Sequence, residues 1–353
     1  MYICDYIKGF TIIAFTLLLM FVIESNTGKV VALFVVAVIS NAIAGIFSPA
    51  SSALLPQIVE EESYQQAESY FSILSSFQSI IGIIIAGILY TLVPINTLFL
   101  IVGVCYIASA ISEMFIKYDS NYEKRDEKLT IKVVFSDIKD GIKYLGTIKV
   151  ILVLLIGSLF LNFFVTPIFE NFAPYFIVTD IAGSDYLFHE SLAPEMWSSF
   201  FSVAIGVGSL IMGIVLSILP QKEKAHGTIR FGLVGLTLSL MGVAIGYIIF
   251  IKGGASINFA IITALVALFL VGAFIIMVNV PSSVATMKIV AKDKFGKVSS
   301  VTSIGSQGLI PLATFLGGVA ITTLGSVGLL LICCGGLLVI TLIIVFLPSI
   351  KEL

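Results

Sequence analysis

The chain has 353 residues, of which 58% are hydrophobic and 11% charged, with a net charge of −2 and a mean hydropathy of +1.12. A soluble domain carries about 25% charged residues, so this sequence has too little charge to coat a water-facing surface. That excludes an ordinary soluble domain and makes the membrane span of about 20 residues the unit in which the chain is counted.

Apolar runs at about 9–24, 30–55, 66–91, 95–116, 148–178, 198–219, 229–251, 257–280, 297–324 and 326–348 predict ten transmembrane helices. A closed barrel would show short alternating strands instead. The first run begins within MYICDYIKGF, with Asp5 and Lys8 placed as at the end of a loop between two spans. No basic segment precedes it and SNTGK after it lacks a small-x-small cleavage pattern, so it does not read as a signal peptide. After four runs, residues 117–148 turn polar and contain FSDIKDGIKYL. Ile131, Phe135, Ile138, Ile142 and Leu145 recur there at helical spacing, which predicts an amphipathic helix on the inner membrane surface, with a solvated linker as the plain alternative. Six runs follow. The expected organisation is therefore 1–116 with four spans, a linker at 117–148, and 149–353 with six spans.

Placing the 19 basic residues orients these spans. With a cytoplasmic N-terminus, 17 fall on the inside and only Lys29 and Lys252 on the outside. Lys and Arg collect on cytoplasmic loops, so both termini are expected in the cytoplasm of a plasma-membrane protein.

Two stretches repeat. FSPASSALLPQIVEEESYQQAESYFSILSSFQSIIGIIIAGIL parallels NVPSSVATMKIVAKDKFGKVSSVTSIGSQGLIPLATFLGGVA, with Pro49 matching Pro281 and Ser69, Ser72 and Gly87 matching Ser300, Ser303 and Gly318. Parallel repeats build many transporters, with the substrate site between the halves. Three spans precede the second copy in its half and one precedes the first, so equivalent halves would imply two further spans at the front.

Five segments in order carry a family resemblance: YICDYIKGF, IFSPASSALLPQIV, FSDIKDGIKYL, LNFFVTPIFENFAPYF and NVPSSVATMKIVAKDKFGKVSS. They resemble the major facilitator superfamily, in particular its macrolide-efflux-like branch of bacterial drug exporters. The resemblance implies an all-α, polytopic, monomeric bundle in two pseudo-repeated halves that moves a small molecule across the lipid bilayer. It would be an exporter of amphipathic compounds of the macrolide or multidrug type, working by alternating access, with the proton as a coupling ion. A truncated, transport-inactive member is the alternative. The family's Gly-Pro turn reads Gly82-Ile83 here, and its Ala-Asn-Ser reads Ala67-Glu68-Ser69.

Glu170, in FVTPIFENFAPYF between Pro167 and Pro174, is the leading pathway residue. Asn162, Thr166 and Glu170 are spaced by four and would form one polar stripe on a regular helix. A carboxylate at depth faces a cavity or a partner, which suits a group that carries a proton or holds a cation. Asn41, Gln78, Asn279 and Gln307 also interrupt apolar runs and are expected to line a cavity. Ser72, Ser75, Ser76 and Ser79 share one face, as do Ser299, Ser303 and Ser306, and these serve close helix packing. Cys4, Cys105, Cys333 and Cys334 have no metal-ligand spacing and read as apolar packing residues. His189 and His226 fall in loops. No Walker, GxSxG or HExxH motif occurs, so the sequence calls for no cofactor, metal, nucleic acid or enzymatic chemistry.

Overall fold

The computed structural model describes residues 2–23, 25–115, 131–186, 192–221, 225–292 and 294–348, leaving aside the side chains of helical residues 46, 48–50, 87–88, 90–91 and 131–137. The expectations for His189 and for residues 117–130 of the 117–148 linker lie outside these residues. Every regular element among the described residues is a helix.

Helix α1 (Tyr2–Phe21) packs along α4 (Ile95–Met114). Asp5, Gly9, Ile12, Phe15 and Thr16 are its buried residues, spaced so that they share one helical face. Glycine permits the approach: a Cβ on Gly9 would stand 2.9 Å from the Gly103 carbonyl oxygen. Asp5 lies on that face, 6% exposed, and accepts a 2.7 Å hydrogen bond from the Ser109 hydroxyl. Helix α2 (Asn26–Ile58) starts at Ser25, whose hydroxyl accepts from the Gly28 N–H at 3.0 Å, and rests on α1. A 3-10 turn at Glu61–Ser63 leads into α3 (Tyr64–Leu92).

Helix α3 ties the first four helices to the rest, because it packs on α8 (Met196–Ile218) and α10 (Ile257–Ile289). Gln221 closes the same junction, donating to the Glu61 carbonyl at 3.1 Å. The end of α2, the start of α3 and the ends of α8 and α10 thus share one end of the bundle, called here the lower end. Helix α9 (His226–Gly253) stops at Gly254, whose φ of 69° only glycine adopts readily, and Ser256 caps the start of α10. Where α8 crosses α10 the backbones touch: a Cβ on Gly208 would overlap the Phe269 carbonyl, and one on Gly272 the Ile205 carbonyl.

The amphipathic helix α5 (Ile131–Leu145) docks against α11 (Phe295–Gln307). Gly141 lies against the Lys297 carbonyl, Leu145 is 1% exposed, and Asp140 pairs with Lys297 at 3.6 Å. The Tyr144 hydroxyl also accepts from the Ala291 N–H. A free solvated linker is thereby replaced by a helix held on α11. Of the expected apolar face, Leu145 is buried and Ile142 is turned outward at 57% exposure.

Helix α6 (Lys149–Pro167) does not end at its proline. It runs on through a π-helical turn at Ile168–Phe172, one α turn, α7 (Ala173–Tyr175), and a second π stretch at Phe176–Ile181. A proline inside a helix removes one N–H and crowds the carbonyl four residues back, and wider π turns accommodate this. The last apolar stretch, Phe295–Phe346, comprises α11 and α12 (Ile310–Phe346) and is 52 residues long. As one straight helix it would measure about 78 Å, against about 30 Å of hydrocarbon. Gly325, at φ 74° and ψ 174°, breaks it. The contacts with α6 show the reversal: Gly305 meets Leu155 and Gly317 meets Pro167 on the way up, while Gly336 meets Phe164 and Ile344 meets Gly157 on the way down. The nine apolar stretches among the described residues therefore make ten crossings, with the final pair separated at the position the sequence predicts.

Candidate functional site

A cavity of about 650 Å³ lies in the lower part of the bundle, between α6, α9, α10 and α11. Leu154, Leu161, Leu233 and Ile344 supply its apolar wall, and Ser52 of α2 and Glu68 of α3 close it from the other side. Hydroxyls and amides from α6, α10 and α11 line the rest. They arrive there by helical spacing: Ser299, Ser303 and Ser306 lie one turn apart on α11, and Asn279, Ser282, Ser283 and Thr286 one turn apart on α10.

Three of the residues expected from sequence meet in this cavity: Asn162, Asn279 and Gln307. Asn162 bridges α6 to α11 by donating to the Ser306 carbonyl at 2.9 Å. The others lie elsewhere. Asn41 is exposed on α2 and donates to the Ala37 carbonyl of its own helix at 2.8 Å. Gln78 is exposed on α3, and Thr166 is half-buried outside the cavity lining.

Glu170 leaves the stripe it shares with Asn162 in sequence, because the π turn at Ile168–Phe172 inserts an extra residue per turn and shifts the phase. Its neighbour takes the inward position: the Asn171 amide packs against Gly317, and its Oδ1 is buried without a hydrogen-bond partner among the described residues. Glu170 itself is exposed. It lies about 30 Å along the helix from Lys149, at about 1.5 Å per residue. That puts it in the upper part of the bundle, at the level of Phe172, whose ring is buried and packs on that of Tyr247 with centroids 4.8 Å apart. Tyr247 in turn donates to Asp180 at 2.9 Å and shares a 2.7 Å hydrogen bond with Ser326, joining three spans.

Glu68 is the residue sequence reasoning did not place in the site. Its Oε1 accepts a 2.7 Å hydrogen bond from the Ser283 hydroxyl of α10, across the junction that α3 forms. The available signal was its position: a carboxylate one turn into an apolar span, where the resembling family carries an amide.

An all-helical bundle of membrane-length apolar helices around an interior cavity of mixed lining is the architecture of a polytopic membrane protein. The model of the Major Facilitator Superfamily matches residues 6–314, and the chain belongs to that family. Its members are transporters and not enzymes. Among curated relatives, the chain is 25% identical over 292 residues to an uncharacterized MFS-type transporter, YvqJ, of Bacillus subtilis strain 168, covering 82% of this chain and 63% of that protein. It is 25% identical over 307 residues to a second, YkuC, covering 84% and 64%. The chain thus spans somewhat under two thirds of the length of these relatives. Its fold is similar to that of a bacterial homologue of the iron transporter ferroportin in an outward-facing state, with a TM-score of 0.67 at 13% identity, covering 97% of this chain and 80% of that one. It is also similar to that of FucP, a transporter of the same superfamily in an outward conformation, with a TM-score of 0.63 at 14% identity, covering 97% and 83%.

Proposed function

We propose that this chain is a secondary exporter of amphipathic small molecules, of the macrolide or multidrug type, working by alternating access between two halves, 1–116 and 149–353. The observation that carries this reading is the interior cavity of about 650 Å³, walled by α6, α9, α10 and α11 and closed by residues of α2 and α3. Drug-sized ligands occupy sites of about 300–1,000 Å³ with mixed apolar and polar lining. Rocking α3 away from α8 and α10 would open this cavity at the lower end. The concentration of basic residues there supports a plasma-membrane protein with that end in the cytoplasm.

A proton gradient is the proposed driving force, with Glu170 as the group that loads and releases the proton. Its side chain is exposed and has no hydrogen bond or ion pair among the described residues, and an unpaired carboxylate within a span requires access to water.

The test is ethidium accumulation in bacterial cells lacking their own efflux pumps. Expression of the chain is expected to lower accumulation at least severalfold, and a protonophore to restore it. Accumulation equal to that of the empty vector, with the protein present in the membrane, would overturn export and favour a transport-inactive member. Glu170→Gln is expected to abolish the protonophore-sensitive part; unchanged efflux would remove Glu170 from that role.

A further inference from the structure

Among the described residues that line the cavity, Glu68 is the one with a charged side chain. Oε1 accepts from Ser283 at 2.7 Å, and Oε2 has no hydrogen-bond partner among the described residues. The neighbouring hydroxyls have given their protons to their own helices. Ser282 donates to the Val278 carbonyl at 2.6 Å, Thr286 to Ser282 at 2.8 Å, Thr302 to Val298 at 3.0 Å and Ser306 to Ser303 at 3.3 Å. What these groups offer the cavity is oxygen lone pairs. The amide of Asn162 gives one N–H to the Ser306 carbonyl, which leaves its carbonyl oxygen and its second N–H to the cavity.

From this arrangement we propose that the cavity is a binding site for organic cations bearing an N–H donor, with the Glu68 carboxylate as the residue that selects the charge. An anionic ligand would meet a carboxylate and no Lys, Arg or His among the described lining residues. A neutral apolar ligand would desolvate Glu68 without pairing it, which is costly away from water. A protonated amine satisfies the carboxylate and the surrounding acceptors together, through charge-assisted hydrogen bonds. A Ca2+ or Mg2+ ion needs about six or more oxygen ligands, carboxylates among them, and no group of three His, Cys, Asp or Glu side chains occurs among the described residues.

This inference names the substrate class of the proposed transport cavity and so rests on that reading. It is tested on the purified full chain in lipid nanodiscs with two fluorescent probes: dansylcadaverine, a primary amine, and its N-acetyl derivative, which is neutral and otherwise alike. The amine is expected to bind at least about tenfold more tightly. In Glu68→Gln, which keeps an acceptor for Ser283, that ratio should fall to about one, while Ser283→Ala, which keeps the charge, should preserve it. Equal binding of the two probes to the unaltered chain, or an unchanged ratio in Glu68→Gln, would overturn the proposal.

A second measurement needs no variant: dansylcadaverine should protect Glu68 from carbodiimide modification, mapped by mass spectrometry, and the acetylated probe should not. Equal protection by both probes would also overturn it. Movement of the amine across a liposome membrane is scored separately, so selective binding without movement refutes the transport reading and leaves the site standing.

Discussion

The side-chain amide of Gln65, at the start of α3, donates to the carbonyls of Leu216 and Leu219 at 2.9 Å each, where α8 ends. The last carbonyls of a helix have no partner within it, so Gln65 completes α8 from another part of the chain. Gln221 returns the contact, accepting from the Gln65 N–H at 2.9 Å and donating to Glu61. These bonds hold the lower end closed around the cavity.

Gln65→Leu removes both donors while filling the space. Leaving the carbonyls unsatisfied is expected to cost about 1–3 kcal/mol, read as a lower unfolding temperature of the purified protein. Because the lost bonds belong to the closed lower end, labelling of a cysteine introduced at Ser303 should also become faster. An unchanged unfolding temperature together with unchanged labelling would contradict the assignment.

Backbone contact at the α8/α10 crossing makes glycine obligatory there. Gly208→Val and Gly272→Val are expected to abolish monodisperse protein in size-exclusion chromatography, since in either case the side chain would overlap a backbone carbonyl. Gly45→Ala and Gly82→Ala, with nothing within 4 Å of the added Cβ, should behave like the unaltered chain. Close approach through small residues is the main packing device available in lipid.

The Tyr247 hydroxyl joins α9 to Asp180 and to Ser326 of α12. Tyr247→Phe keeps the ring contacts with Phe172 and Phe176 and removes only these hydrogen bonds. Interhelical hydrogen bonds in membranes average about 0.6 kcal/mol with a maximum near 1.7, so a loss of about 1–2 kcal/mol is expected in denaturant titration.

Gly325→Ala tests the reversal between the last two crossings. The conformation at φ 74° and ψ 174° belongs almost solely to glycine, and forcing a side chain into it costs about 1–3 kcal/mol. The expected outcome is a destabilised protein whose residues flanking 325 become accessible to protease from the upper side.

Much of this architecture was legible in the sequence because lipid enforces it. Apolar runs of fixed length predict crossings, and Gly325 falls between the two runs that the sequence separates. The paired Ser69 and Ser300 of the internal repeat also behave alike, each donating to the carbonyl four residues back, Gln65 and Gly296. The site was legible in part. A polar residue in an apolar run announces that it needs a partner, without saying which one. Asn162 finds α11, whereas Asn41 finds its own helix at Ala37. Glu170 was placed by counting in fours, a count that holds only while the helix stays α, and Pro167 ends that regularity. Glu68 lies just beyond the acidic turn Glu60–Glu62, and only the packing of α3 on α10 distinguishes it from a solvated helix start.

The central claim, that the chain opens and closes a cavity by moving α3 against α8 and α10, is tested most directly by a distance. Nitroxide labels at Glu60 and Lys288, both exposed at the lower end, would be measured by double electron–electron resonance in nanodiscs. The account predicts two distance populations whose ratio shifts when dansylcadaverine is added or the pH is lowered. A single distance, unchanged under every condition, would contradict it.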